Sequence, residues 1–288
     1  MRQELSRSIA TAEELESIVA TMKGLSAVSV RQYENAREAA RRYIATLEHG
    51  LQVVLAHGVE PASEPPPVDP IGVLLIGAEQ GMCGPMNRRI LDYAAAWLED
   101  LGYDPSRQRV LAVGSRLAEE LGAHRLRAER LLTQPGSVNG VPDRVTEVLL
   151  HLDGWRASGV GDVVAFHHSR SGPARAEPVT RHILPVEIGL LRELRDREWP
   201  TRMVPQLATT PRETFAALAR QLVLARLFTA FVDALASEHG ERLLAMQSAE
   251  TAIEERLDLL RAAYRRERQT AITSELLDIV SGYEMMTR

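Results

Sequence analysis

The chain has 288 residues, of which 45% are hydrophobic and 25% charged, and a formal net charge of −5. These are ordinary values for a soluble protein of one or two domains. The mildly acidic balance gives no electrostatic reason to expect nucleic acid as a partner, and no uncharged apolar run approaches the roughly 18 residues of a membrane span.

The first element is a long helix. Residues 1–57 contain no proline, and Leu5, Ile9, Ala12, Leu15, Val19, Met22 and Leu25 step by three and four. Tyr33, Ala36, Ala40, Tyr43, Leu47, Leu51 and Val54 resume the stripe, as expected for one face of an amphipathic helix. Early Glu4, Glu13, Glu14 and Glu16 argue against a signal or transit peptide. The stretch from Glu60 to Pro70 holds five prolines and reads as a linker. Strands and helices then alternate. Ile71–Gly77 is a short apolar run with the character of a buried strand, and Arg88–Leu101 is patterned as a helix. Arg109–Val113 is a second strand and Arg116–Leu121 a short helix. Val141–Ser158 is a helix, Asp162–His167 a strand, and Glu177–Val186 a last extended segment. This alternation predicts a mainly parallel α/β sheet.

From Arg212 to Ser281 there is no proline, and Gly240 is the only glycine. Phe215, Leu218, Leu222, Phe228, Phe231 and Leu235 lead into Met246, Ala249, Ile253, Leu257, Leu260 and Tyr264. Seventy helical residues would reach roughly 105 Å at 1.5 Å per residue. A rod of that length packs on another long helix or inside a partner, and two such helices at the termini predict an antiparallel coiled coil. An ordinary bundle, broken at Gly24, Gly50 and Gly240, is the competing expectation. The fold class is therefore mixed α+β and α/β: a long antiparallel coiled coil of the N- and C-terminal helices plus a central Rossmann-like α/β domain. Its parts are an N-terminal helix (1–58), a central domain (71–190) and a C-terminal helix (211–282).

The tests for chemistry give little. Gly77–Gly84 follows a strand and precedes a helix, as nucleotide loops do, yet it lacks both the Gly-Lys-Ser/Thr ending and a Gly-x-Gly-x-x-Gly run. Its glycines read as structural. Lys23 is the only lysine, which removes a phosphate-loop or Schiff-base lysine elsewhere in the chain. Cys83 is the only cysteine, so it forms no internal disulfide, which fits a reducing cytoplasm; it reads as a small buried thiol. His167 and His168 are neighbours on a strand and point to opposite faces, so they do not share a metal. His124, His151 and His182 have no metal-ligand spacing. Carboxylates are expected mainly on solvated helical faces. No catalytic residue, cofactor site or metal site emerges from the residues themselves.

Four motifs nevertheless match one family. Ala236-Ser-Glu-His239, followed by Arg242 and Ala245-Met246, is similar to an Ala-Ser-Glu-x-x-x-Arg-x-x-Ala-Met run. Arg268-Gln-Thr-Ala-Ile-Thr-Ser-Glu-Leu-Leu-Asp-Ile-Val-Ser-Gly282 is close to Arg-Gln-x-x-Ile-Thr-x-Glu-Leu-x-Glu-Ile-Val-x-Gly. Gly81-Met-Cys-Gly-Pro-Met-Asn87 is similar to Gly-Leu-Cys-Gly-Gly-Leu-Asn, and Ile18-Val-Ala-Thr-Met-Lys23 to Ile-Thr-Lys-Ala-Met-Lys. Over nearly its whole length the chain resembles the γ subunit of F-type ATP synthases, the rotor of that machine.

The resemblance implies a coiled-coil shaft inside a hexamer of α and β subunits. The α/β body would sit with the ε subunit on the membrane ring of c subunits, at the cytoplasmic face of the inner membrane. The shaft does no bond chemistry; its contacts couple ion translocation to ATP synthesis or hydrolysis. Met22, Lys23, Arg242, Gln269, Thr273 and Glu275 lie on the family's contact motifs. They are expected to meet β-subunit loops or the facing helix. The chain departs from the pattern where lysines are usual, carrying Glu13, Glu14, Ser17 and Thr21, and where Gln247–Ile253 replaces Lys-Ala-Ala-Thr-Asp-Asn-Ala. It also ends in Tyr283–Arg288 where small apolar residues are common. These changes point to a divergent paralogue, such as the γ subunit of an alternative F-type ATPase translocating Na+ or H+. They also leave a second expectation, a coiled-coil interaction protein derived from the γ subunit without rotor function.

Overall fold

The computed structural model describes residues 2–59, 70–124, 126–170, 172, 175–199, 201, 203 and 205–286, without the side chains of Ala123 and of 281–286. The proline linker expected over 60–70 lies outside the described residues except for Pro70. In chain order the elements are α1 (Arg2–Ala56), β1 (Ile71–Ile76), α2 (Met86–Asp100), β2 (Gln108–Val113), α3 (Ser115–Glu120), β3 (Ala128–Leu132), α4 (Val141–Ala157), β4 (Asp162–Ser169), β5 (Glu177–Leu184), α5 (Ile188–Asp196) and α6 (Pro211–Met286). The chain divides into two compact units, Met1–Ser26 with Arg242–Arg288, and Ala27–Glu241. Both terminal helices run unbroken through their glycines, so the broken-bundle expectation does not hold.

The larger unit is built on a five-stranded sheet of order β3-β2-β1-β4-β5. β1 pairs in parallel with β2 and β4, and β2 with β3, while β5 runs antiparallel to β4. The side-chain period of two sends Val73 and Leu75 to one face and Leu74 and Ile76 to the other. The first face packs under Ile90, Leu91, Ala94 and Leu98 of α2 and Leu117 of α3. The second packs under Val145, Val148, Leu152 and Trp155 of α4 and under Val223, Leu227, Ala230 and Phe231 of α6. With both faces covered, β1 is buried at all six positions, which accounts for its continuous apolar run. Gly72 leaves room for the Trp155 ring: an added Cβ would lie 2.6 Å from Cε3. The apolar part of α6 would be long enough by composition to cross a membrane, but Leu222, Leu227 and Phe231 are wholly buried against this sheet and its helices. A further apolar cluster joins Leu47, Leu51 and Leu55 of α1 to Leu191 and Leu194 of α5 and Leu222 of α6.

Two elements escape the sequence pattern. β3 is an edge strand whose middle residues Glu129, Arg130 and Leu131 are exposed, so it carries no apolar run. α5 is short and follows a proline, and only Ile188, Leu191 and Leu194 of its face are buried.

In the smaller unit the terminal helices pair. Ala12 of α1 packs with Leu257 and Leu260 of α6, flanked by Leu5, Ile9 and Ile253. Lys23 Nζ donates to both Glu250 oxygens at 2.6 Å, and Arg261 Nη2 to Glu13 Oε1 at 2.8 Å. As the α1 partner falls from 23 to 13 the α6 partner rises from 250 to 261, so the pair is antiparallel. The expected single stripe on α1 splits. Leu15, Met22 and Leu25 lie roughly 60–140° around the helix from Ala12 at 100° per residue. Leu25 is 65% exposed.

Candidate functional site

The residues singled out on the family motifs fall into three situations. Lys23 is engaged by Glu250 across the helix pair, with Met22 beside it half-buried. Arg242 is only 3% exposed. Gln269, Thr273 and Glu275 are exposed on the last turns of α6, where Thr273 Oγ1 donates to the Gln269 carbonyl at 2.9 Å. Leu276, Leu277, Ile279 and Val280 beside them are exposed apolar residues, Ile279 by 69%. These residues are not gathered into one cluster but spread along α1 and α6.

The polar cluster the structure does assemble lies elsewhere, at the carboxyl ends of the parallel strands. The chain leaves β1 toward β2 and β3 and later returns on the other side of β1 as β4, so a topological switch point lies between β1 and β4. In open α/β sheets this crevice receives ligands, and the backbone N–H groups of the first loop hold phosphate. Here those donors meet a carboxylate of the same chain. The N–H of Glu79 donates to Glu238 Oε2 at 3.0 Å and that of Gln80 to Glu238 Oε1 at 3.1 Å. Glu238 comes from α6 and is 3% exposed. Its neighbour in sequence, His239, stacks on Tyr33 of α1 with ring centroids 5.5 Å apart. Burial, then the field of Glu238, pushes the Tyr33 phenol up.

The loop that receives Glu238 is itself tied to the sheet. The Glu79 carboxylate accepts from Ser115 Oγ at 2.6 Å, from Ser115 N at 3.0 Å and from Gln134 N at 2.9 Å, thereby spanning the ends of β2 and β3. Burial pushes this carboxyl up, but those hydrogen bonds and the Arg144 field outweigh it and hold it below the usual carboxylate range. Asn87 Oδ1 accepts from Ala78 N at 2.8 Å, and Gln134 Nε2 donates to the Gly77 carbonyl at 2.9 Å. The glycines of the loop are structural, as expected: at Gly77 a Cβ would lie 2.8 Å from Leu117 and Asn87 atoms, and Gly84 sits at φ +66°.

Two more acids of α6 are buried with Glu238, against the expectation that carboxylates occupy solvated faces. Glu241 Oε1 accepts from Ala176 N at 2.8 Å, and its other oxygen lies 3.3 Å from Arg89 Nη2 of α2. Asp233 Oδ1 lies 2.8 Å from Arg37 Nε of α1, close in distance but off the hydrogen-bond line. Burial raises the Asp233 carboxyl while Arg37 and Arg181 pull it down. Arg37 Nη1 also donates to the Arg170 carbonyl at 2.7 Å. The signal for this cluster was present in the run 233–241, whose acids interrupt an otherwise apolar helix; periodicity alone does not say that they are buried.

His167 and His168 point to opposite faces, as their adjacency predicts. Both are completely buried, and among the described residues none of their four ring nitrogens has a hydrogen-bond partner. Burial, with Arg181 near His167 and Arg89 near His168, lowers both to a pKa of about 3. Among the described residues no group of three or more His, Cys, Asp or Glu could hold a metal ion. Cys83 is buried, its Sγ 3.5 Å from the Gln80 carbonyl.

Residues 2–286 match a protein-family model described as ATP synthase. The chain is 28% identical to an ATP synthase gamma chain of Methylobacterium nodulans, and 24% identical to one of Paramagnetospirillum magneticum, with 99% of both chains covered in each case. Its fold is similar to a chain in the cryo-EM structure of the Euglena gracilis mitochondrial ATP synthase, OSCP/F1/c-ring, in rotational state 3. That likeness has a TM-score of 0.65 at 16% identity and covers 99% of this chain and 94% of the other.

Proposed function

The chain belongs to the ATP synthase family as a gamma subunit, the rotor of the central stalk, and we propose that it couples ion flow through a membrane ring to ATP synthesis or hydrolysis at β subunits. The observation that carries this reading is a family match running from residue 2 to residue 286 over a chain whose terminal helices pair antiparallel. A rotor works by differential contact: a shaft with different side chains around its circumference favours a different conformation at each catalytic site as it turns. The exposed apolar residues Leu25 and Ile279 and the polar Gln269, Thr273 and Glu275 supply such an uneven surface.

In this reading the functional parts are the N-terminal helix (1–58), the α/β body (71–190) and the C-terminal helix (211–282). The α and β subunits and the c ring are partners, and an ε subunit joins the body. The complex is peripheral at the cytoplasmic face of the inner membrane. Met22, Gln269, Thr273 and Glu275 face partner loops. Lys23 and Arg242 act first within the chain, Lys23 by bridging to Glu250 and Arg242 from a buried position. The chain is a non-catalytic subunit, and the occupation of the switch-point crevice by Glu238 supports that assignment. The acidic or neutral Glu13, Glu14, Ser17 and Thr21 at positions where lysine is usual favour a divergent paralogue, because charge pairs with partner loops set preferred orientations.

The test is co-expression with α and β subunits from the same genome, purification through a tag on this chain, and an ATPase assay. Recovery of an active hexamer carrying one copy of this chain is the expected result. Recovery of this chain alone beside correctly folded α and β would overturn the rotor reading and favour a free-standing coiled-coil protein.

A further inference from the structure

We propose that Asp233, Glu238 and Glu241 of α6 form the grip through which torque passes between the α/β body and the helix, with Glu238 as the positioning residue that fixes the helix's angle. The inference rests on the rotor reading and deepens it. A rotor has to carry twist between its body and its helices. Apolar burial resists separation but is itself non-directional, so it sets an angle only through the shape of the packed side chains. Hydrogen bonds are directional and fail when their angle is lost.

The three carboxylates suit that task. Along α6 they span roughly 12 Å, and at 100° per residue they fan over roughly 140° of its circumference. Each reaches a different part of the body: Asp233 accepts from Ser169 Oγ at the end of β4 at 3.4 Å while also facing Arg37 of α1, Glu238 meets the N–H groups of the β1 loop, and Glu241 the N–H of Ala176 with Arg89 of α2. On the flank about 160° from Glu238, Gly240 lets the Arg170 guanidinium lie directly on the helix. Contacts on opposing flanks define an angle, which one patch does not.

Glu238 has the stiffest connection. Its two oxygens meet two consecutive backbone N–H groups, not flexible side chains. The residue that supplies the first N–H, Glu79, is held through its own carboxylate to Ser115 and Gln134. Load on the helix therefore passes through one loop into the ends of three strands. The crevice that other α/β sheets give to a ligand is here spent on holding a helix.

The experiment uses the complete complex in vesicles, comparing ATP hydrolysis with the membrane potential it generates. Potential is read because it is independent of which cation is pumped. Glu238→Gln turns one acceptor into an NH2 that opposes a backbone N–H. The expected result is a complex with one copy of this chain per hexamer, retained hydrolysis, and a loss of potential per ATP hydrolysed; Glu238→Asp, which keeps the charge, should recover part of it. A merely structural role would lower yield or melting temperature and leave that ratio unchanged, and an unchanged ratio overturns the grip. Should Glu238→Gln fail to assemble, Glu241→Gln decides by the same ratio. Failure of the unaltered chain to join the hexamer overturns the rotor reading and the grip together.

Discussion

The Arg170 guanidinium lies against the backbone of α6 at Gly240, so that a Cβ there would sit 1.7 Å from Nη1 and 2.4 Å from Cζ. This approach explains why the only glycine between Arg212 and Ser281 does not end the helix: it makes room for a buried side chain. Gly24 of α1 is the natural control, because it is helical and exposed and, its own helix backbone and chain neighbours apart, nothing among the described residues lies within 4 Å of its would-be Cβ. Gly24→Ala should stabilise the chain by about 1 kcal/mol, the helix-propensity difference. Gly240→Ala gains the same propensity but displaces a buried guanidinium, and should destabilise by a net of about 1–3 kcal/mol. Urea midpoints of the two variants check the opposite signs; a stabilised Gly240→Ala would show that Arg170 swings away freely.

Burial at the end of β4 gives the protein an acid sensitivity. With His167 and His168 held at a pKa of about 3, the folded chain keeps both rings neutral while the unfolded chain protonates them near 6.5. The unfolded state therefore binds more protons below 6.5, so stability is complete above that value and falls as pH drops toward about 3. At pH 5 the loss should be roughly 2 kcal/mol per histidine relative to pH 8. Denaturant midpoints measured across this range, compared with those of His168→Phe, check it. The variant should lose about half of the slope, and an unaltered slope would mean that the acid loss arises elsewhere.

The parts of the fold read correctly from sequence are those whose burial is one-sided or complete. β1 reads as a strand because both of its faces are covered, and α6 reads as one helix because no proline lies between Arg212 and Ser281. β3 did not, because an edge strand with Glu129 and Arg130 exposed carries no apolar signal. The motif residues were found by resemblance alone: Gln269 and Thr273 are exposed and are joined by a local hydrogen bond within one turn of α6, which does not mark them chemically. Glu238 was missed for a different reason. A buried carboxylate on a helix is distinguishable from a solvated one only by its donors, and those are backbone N–H groups about 160 positions away.

Gly72 tests the packing of the sheet under α4. An added Cβ would lie 2.6 Å from Trp155 Cε3 and 3.1 Å from Val163 Cγ2. The indole is fully buried and its Nε1 donates to Glu129 Oε2 at 3.2 Å, so the ring has little freedom to retreat. Gly72→Ala should cost about 1–3 kcal/mol by overpacking. Tryptophan fluorescence followed through urea unfolding in a Trp97→Phe, Trp199→Phe background, where Trp155 alone emits, reports both the stability and any change in ring environment. An unperturbed midpoint would show that the sheet can yield at this point.

Lys23 and Glu250 tie the helices of the smaller unit together with two 2.6 Å hydrogen bonds, at side-chain exposures of 34% and 26%. The pair is partly open to solvent, so screening and side-chain ordering discount its Coulomb energy. A double-mutant cycle of Lys23→Ala and Glu250→Ala should return a coupling of about 0.5–1 kcal/mol. In 1 M salt, where the screening length falls to about 3 Å, that coupling should weaken clearly. The cycle separates the pair from the general loss of two helix residues, because each single change is measured against the same background. A coupling near zero at low salt would mean that Lys23 contributes nothing to the pairing, which would leave its charge available to a partner alone. A coupling of the expected size makes Lys23 a strut of the rotor before it is a contact, and predicts that Lys23→Arg, whose planar fork also donates to both oxygens of a carboxylate, retains most of it.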